Sequence, residues 1–328
     1  GKVAFHDTVE TDPTAIFTAL EYSRLEIEKI AIESGSLSHW LVQSLQKRGL
    51  SVVCIDSRKM SKVLSININK TDKNDARLIA EALRCGFYSE VVQKSQDLAE
   101  VQILLNSRRT LLNILVKLKN TVRGFLKTYG IRLGTLSHQK FGITVREYLA
   151  DKPEIVQIAI ISLIDTYQST LYQLNKVEAQ IKKMAQDDPD IRLLMTIPGV
   201  GIITAFTFKV CLGDPKRFKK SRSVGAYFGM TPSQYSSGET TRQGRISKCG
   251  TAEMRALLND AALSLLYRTK SWSRLKHWGL NLKKKKGHKK ATMAVGRKLA
   301  IIMHRMLIEG KPFIFGEPKK EKAEKKVV

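Results

Sequence analysis

Asp72 and Asp75 stand three residues apart at the head of "TDKNDARLIAEAL", where a helical apolar pattern begins. On a helix, positions three apart share a face. A third acid, Glu33, lies near the end of the strand-like stretch "EKIAIES" at residues 28–34. Two readings compete. In one, Asp72 is a helix N-cap and Asp75 favours the dipole of the helix start. In the other, the three carboxylates converge on a hard divalent cation, Mg²⁺ or Mn²⁺, and leave open positions for a phosphate to complete. Glu33 at a strand end, where α/β sheets place their ligands, favours the second. Ser247 offers different chemistry. It sits in the polar, glycine-rich and basic stretch "SSGETTRQGRISKCG", residues 236–250, between Arg245 and Lys248 and close to Arg242. Those cations can hold a phosphate, and the hydroxyl is either a nucleophile or one more phosphate contact; the residue types alone leave both open. In "TIPGVGIITAFTFKV", Gly199 and Gly201 give a helix-hairpin-helix-like turn whose backbone N–H groups could approach a phosphate, or a plain inter-helix turn. The basic run "DPKRFKKSR", with Lys216, Arg217, Lys219 and Lys220, comes soon after and favours nucleic acid.

The whole composition points the same way. Lys and Arg number 56 against 30 acids, a surplus of +26 over 328 residues. Such a surplus costs self-repulsion unless a polyanion shares the surface, and nucleic acid releases counterions when it does. No apolar run is long enough to span a bilayer; the best, "IVQIAIISLI", is too short. The opening residues do not form a signal peptide. Cys54, Cys85, Cys211 and Cys249 form no CxxC, which suits reduced thiols rather than a disulfide framework or a zinc site.

The elements that must position these residues fall into three regions and a tail. Residues 1–92 alternate strand and helix: a strand at "KVAFHDT", a helix at "PTAIFTALEY" capped by Asp12 with Pro13 at its first position, the strand at 28–34, a helix at "SHWLVQSLQKR", a strand at "LSVVCID", and the helix from Asp72 to about Arg84. That alternation implies a mostly parallel sheet. Residues 93–188 read as a helical arm. Leu111, Leu115, Leu118, Val122 and Phe125 repeat in steps of four and three, as do Ile160, Ile164, Tyr167, Leu171, Leu174 and Ile181 in a second long helix. The two helices can pair within one chain or between chains. Residues 189–316 read as mainly helical, with a last helix at about 291–309, and residues 317–328 as a lysine-rich disordered tail.

"IAIESG", "KTDKNDARLIAEALR", "IPGVG", "FGMTPSQYSSGETTRQGRISKCGTAEMRALLNDAA" and "KKATMAVGRKLAIIMHRML", in that order, closely resemble the DEDD insertion-sequence transposases, the group that includes the bridge-RNA-guided recombinases. The resemblance covers nearly the whole chain. It implies an α/β RNase H-like (RuvC-like) N-terminal domain, a coiled-coil arm and a mainly α-helical transposase domain. It implies that Glu33, Asp72 and Asp75 serve as catalytic, metal-holding acids and Ser247 as a nucleophile that links covalently to DNA. It further implies double-stranded DNA and a structured guide RNA as partners, a dimer or tetramer, and a prokaryotic, nucleoid-associated cytoplasmic setting. The family's first Asp, carried on an opening strand, has no counterpart here, so three of four acids match and the N-terminal domain is expected to be incomplete. Two other readings stand beside this one: a metal-dependent junction nuclease in which Ser247 only contacts phosphate, and a truncated, non-catalytic nucleic-acid-binding remnant.

Overall fold

Asp12 starts the first helix as its sequence demands. In the computed structural model, which describes residues 1–65 and 69–316, its Oδ1 accepts hydrogen bonds from the Thr14 and Ala15 amides at 2.8 and 3.0 Å. Pro13 then opens α1 (Pro13–Tyr22). The chain forms two compact units, one ending at Ser95 and the other beginning at Gln96. The tail expected at 317–328 lies outside the described residues.

In the first unit, β1 (Ile30–Glu33), α2 (Ser38–Gln46) and β2 (Val52–Ile55) make a parallel strand–helix–strand unit. The register runs from Ile30 opposite Val52 to Glu33 opposite Ile55. Side chains alternate across a strand. Val52 and Cys54 therefore pack with Val42 and Leu45 of α2. Ile55 points the other way, into a cluster with Met60, Leu64 and Ala82. That second face is covered by α3 (Ser57–Leu64) and α4 (Asp72–Arg84). Helices on both faces explain why β2 reads as an unbroken apolar run.

Two local expectations are corrected and one helix is added. The strand expected at residues 2–8 does not form; the segment is exposed and irregular. A strand needs a ladder partner, and among the described residues none runs beside it. The helix α3 carries no long apolar repeat, but Asp56 caps it by accepting from the amides of Arg58 and Lys59 at 3.0 and 3.3 Å. The N-cap of α4 is Thr71, not Asp72: its Oγ1 accepts from the Asn74 amide at 3.2 Å.

The second unit opens with α5 (Gln96–Lys127), α6 (His138–Leu149) and α7 (Glu154–Asp187). The long helices pack on each other within the chain. Leu115, Val122 and Leu126 meet Ile160, Ile164, Tyr167 and Leu174, and α6 closes the cluster with Phe141, Val145 and Leu149. Phe125 is 47% exposed while Leu126 is fully buried. The seam steps from Val122 to Leu126 because 3.6 residues make a turn, not 3.5. At the other end, Val101 and Leu105 of α5 and Ile181 and Ala185 of α7 join a larger core built by the later helices. These are α8 (Pro189–Leu194), α9 (Ile202–Leu212), α10 (Arg222–Tyr227), the hairpin strands β3 (Pro232–Ser237) and β4 (Thr240–Ile246), α11 (Ala252–Tyr267), α12 (Arg274–Lys286) and α13 (His288–Glu309). The last of these, α13, is the central post, burying Val295, Leu299, Ala300 and Met303. Gly296 lets it lie close to α11: a Cβ there would sit 3.1 Å from the Leu258 carbonyl oxygen. Among the described residues no helix is long and apolar enough to cross a membrane, and the four cysteines are free thiols.

Candidate active site: a cross-tied serine loop and an acid-bearing helix

The stretch around Ser247 is largely a β-hairpin. Ser237 and Thr240 close it over Gly238 and Glu239, with Gly238 supplying the positive φ that a two-residue turn requires. Pairing shifts between Pro232 and Gln234. There Gly244 passes so close to Ser233 that a Cβ would lie 2.4 Å from its Oγ, and that Oγ donates to the Arg245 carbonyl at 3.2 Å. Such a bulge bends a strand and re-aims the residues beyond it.

Ser247 lies just past the end of β4 and is exposed. Its amide donates to the Thr231 carbonyl at 2.9 Å, and the Lys248 amide donates to the Gly229 carbonyl at 3.1 Å. Lys248 is held at φ +56°, a left-handed conformation that is costly for a residue with a Cβ. Two glycines make the close approach possible. A Cβ on Gly229 would stand 2.1 Å from the Cys249 carbonyl oxygen, and one on Gly250 would stand 2.4 Å from that of Tyr227. Arg255, in α11, completes the tie: its Nη1 donates to the carbonyls of Phe228, Cys249 and Gly250 at 3.2, 2.8 and 3.0 Å. The backbone on either side of the serine is thus fixed, while Ser247 itself is exposed. Arg242, Arg245 and Lys248 are all exposed.

The basic run after α9 is also organised. Asp214 caps a 3-10 turn at Pro215–Arg217 by accepting from the Lys216 amide at 2.8 Å. Arg217 is occupied internally: its guanidinium lies over Phe218 and Tyr227, 4.5 and 4.6 Å from the ring centres, and its Nε donates to the Leu212 carbonyl at 3.0 Å. Lys216, Lys219 and Lys220 remain exposed. His304, 1% exposed, pins both ends of the run, with Nε2 donating to the Pro215 carbonyl and Nδ1 paired with Ser221 Oγ, each at 2.9 Å. The PGVG glycines separate in role. Gly199, at φ +93°, is spent on packing, since a Cβ would lie 2.7 Å from the Ala261 carbonyl oxygen. Gly201 is exposed at the N-cap of α9 with no side-chain cap.

In the first unit, Ala31 packs in the cluster that holds Leu78, Ile79 and Ala82 of α4. Glu33, two residues on, points to that same face of the sheet. Asp75 lies on the same side of α4 as Ile79 and Ala82, by helical spacing. Asp72 is exposed at the first position of α4, and Glu33 and Asp75 are half-buried. Asp75 Oδ1 is shielded from water and has no hydrogen-bond partner among the described residues. A buried carboxylate oxygen without a donor is costly unless a cation or a ligand meets it. The donor chemistry fits a hard cation. The spacing is not closed: among the described residues no three His, Cys, Asp or Glu side chains stand near enough together to hold one.

Sequence reasoning missed Arg255 and His304. Neither has a spacing signal: Arg255 meets backbone carbonyls, which any residue type offers, and His304 meets the Pro215 carbonyl and the Ser221 hydroxyl, 89 and 83 residues away.

An acid-bearing α/β unit followed by a helical unit with the Ser247 loop is the order that the resemblance to the DEDD transposases implies. Residues 1–131 match the family model of the IS110-type DEDD transposases, and residues 191–277 match that of the IS116/IS110/IS902 transposase family. The transposase for insertion sequence element IS1111A of Coxiella burnetii is 28% identical over 296 residues, which is 86% of this chain and 78% of that one. The transposase for insertion sequence element IS1328 of Yersinia enterocolitica is 28% identical over 294 residues, 85% of this chain and 86% of its own. The pilin gene-inverting protein of Moraxella bovis is 27% identical over 149 residues, 43% of this chain and 45% of its own. The chain belongs to the IS110/IS116 family of DEDD transposases.

Proposed function

We propose that this transposase cuts and rejoins DNA with Ser247 as the nucleophile. The Ser247 oxygen attacks a backbone phosphorus, a P–O bond of the strand breaks, the serine proton passes to solvent, and the leaving oxygen takes up a proton from solvent to become a free hydroxyl. The phosphoserine keeps the energy of the broken linkage, so attack by another strand's hydroxyl rejoins DNA and frees the serine. The observation that carries this reading is the loop itself. It holds the backbone beside Ser247 through Arg255 and two close-packed glycines while leaving Ser247 and its sequence neighbours Arg242, Arg245 and Lys248 exposed. Those cations neutralise charge on the phosphate under attack. Phosphate contacts by Lys216, Lys219, Lys220 and the Gly201 amide would hold the duplex without reading its sequence. The relative named for gene inversion supports rejoining, since inversion needs both steps.

Glu33, Asp72 and Asp75 would hold a divalent ion, Mg²⁺ or Mn²⁺, which when bound supplies Lewis-acid neutralisation of phosphate charge. The unpartnered Asp75 oxygen supports this assignment. An RNase H-like fold for the first unit, a structured guide RNA and a homo-oligomer complete the proposal, on the strength of the family resemblance. The same Asp75 oxygen favours a second reading, a metal-dependent nuclease in which Ser247 only contacts phosphate.

A plasmid carrying the parent insertion element, incubated with protein, divalent metal and RNA transcribed from that element, separates the two. Wild type should give a protein–DNA adduct that survives denaturing gels and maps to Ser247. Ser247→Ala should lose the adduct and reduce cleavage by about 10³-fold or more, with DNA binding nearly intact, because one hydroxyl and no charge is removed. Cleavage that persists in the alanine variant would establish the metal-only nuclease instead.

A further inference from the structure

Beside the serine loop, between β4, α11 and the start of α13, lies a cleft of about 560 Å³. That volume falls in the usual range for small-molecule sites. Its floor includes Leu263 and Met293, its rim carries Lys248, Arg255 and Lys289, and Asn259 lies between. Among the described residues no acid lines it. An apolar floor under a cationic rim is not what a duplex surface needs. Stacked bases show a protein only their edges and phosphates, whereas an unstacked nucleotide shows a flat apolar face and a phosphate together.

Two further features suit such a ligand. His288, also lining the cleft, offers an aromatic face and is held by Tyr267, whose hydroxyl lies 2.9 Å from its Nδ1. It is the first residue of α13, a 22-residue helix whose N-cap, Gly287, brings no side-chain cap. The first-turn amides there are free to meet an anion, and Lys289 stands beside them.

We propose that this cleft binds one unstacked nucleotide of the strand next to the cut, with its base over Leu263 and Met293 against Asn259 and its phosphate on the cationic rim. The assignment rests on the proposed reading that the cut phosphate lies at the serine loop, whether Ser247 attacks it or only contacts it. A base drawn out of the stack beside the scissile phosphate would leave that phosphate exposed to attack.

The test compares two probes by fluorescence anisotropy on the full chain: a tetrathymidylate, and a tetramer with the same phosphates and abasic sugars. Wild type should bind the thymidylate at least about tenfold tighter, in the lower range for a base stacked on protein. Met293→Ala and Asn259→Leu should each cut that preference to below about threefold, two substitutions serving in case one impairs folding. Lys289→Ala should weaken both probes by the same factor. Equal binding of the two probes to wild type, or a preference that survives both Met293→Ala and Asn259→Leu, overturns the proposal. Ser247→Ala tells the two readings apart. Cleavage persisting there with the base preference intact removes the nucleophile and keeps the cleft; cleavage lost there with no base preference in wild type does the reverse.

Discussion

Lys248 is where stability and function pull apart. Its φ of +56° costs about 1–2 kcal/mol relative to a relaxed residue, and glycine would carry no such cost. Lys248→Gly should therefore raise the melting temperature, by roughly 0.5–1 kcal/mol of stability once the extra freedom of the unfolded glycine is deducted. It should also slow cleavage, because the cation next to Ser247 is gone. Parallel melting and cleavage measurements check this, and a variant that is both less stable and fully active would show that the lysine's role has been misassigned. Gly229 has no such latitude. A Cβ 2.1 Å from the Cys249 carbonyl oxygen, at φ +66°, forces the backbone apart. Gly229→Ala should cost about 2–4 kcal/mol in denaturant unfolding, and a cost under about 1 kcal/mol would mean the loop yields easily.

At the scale of elements, Arg255 ties the serine loop to α11. Arg255 satisfies three carbonyls at once, and removing it strands them. Arg255→Met, which keeps the stem but not the donors, should destabilise the second unit by about 2 kcal/mol. The Ser247 and Lys248 amides, bonded to Thr231 and Gly229, should then exchange with deuterium markedly faster. Unchanged exchange at those two positions would show that the glycine contacts alone hold the loop. The hairpin β3–β4 adds little apolar burial of its own, since most of its residues are exposed. Its order comes from its turn, its bulge and that anchored end.

At the scale of the whole molecule, charge dominates. The surplus of +26 is carried in part by exposed lysines of the run after α9 and of the α12–α13 junction, where Lys283 to Lys286, Lys289 and Lys290 gather. Each phosphate neutralised on duplex DNA contributes roughly −0.9 to the slope of log affinity against log salt. A slope of about −5 or steeper is expected from electrophoretic mobility shifts between low and physiological salt. A slope near zero would contradict an electrostatic interface.

Much of this was legible in the sequence because it is local. Asp12 and Pro13 start α1 through contacts within three residues, and α4 runs from Asp72 to Arg84 on its helical period alone. Glu33, Asp72, Asp75 and Ser247 are proposed as site residues from the motifs that their neighbours in sequence carry. The expected strand at 2–8 was not settled locally, because alternation makes a strand only when a partner is present. Nor could spacing show that Gly199 packs on α11, that Arg217 is taken up by two rings, or that Arg255 and His304 hold the segments they hold. Those are decided by how the folded backbone aims carbonyls, rings and hydroxyls at one another, whether the groups lie near or far apart in the chain. The sequence by itself determined which groups could do chemistry, since residue type and charge need no fold. Tertiary structure alone decided which of them face solvent and which are spent on packing, because burial and hydrogen-bond partners exist only once the chain has closed on itself.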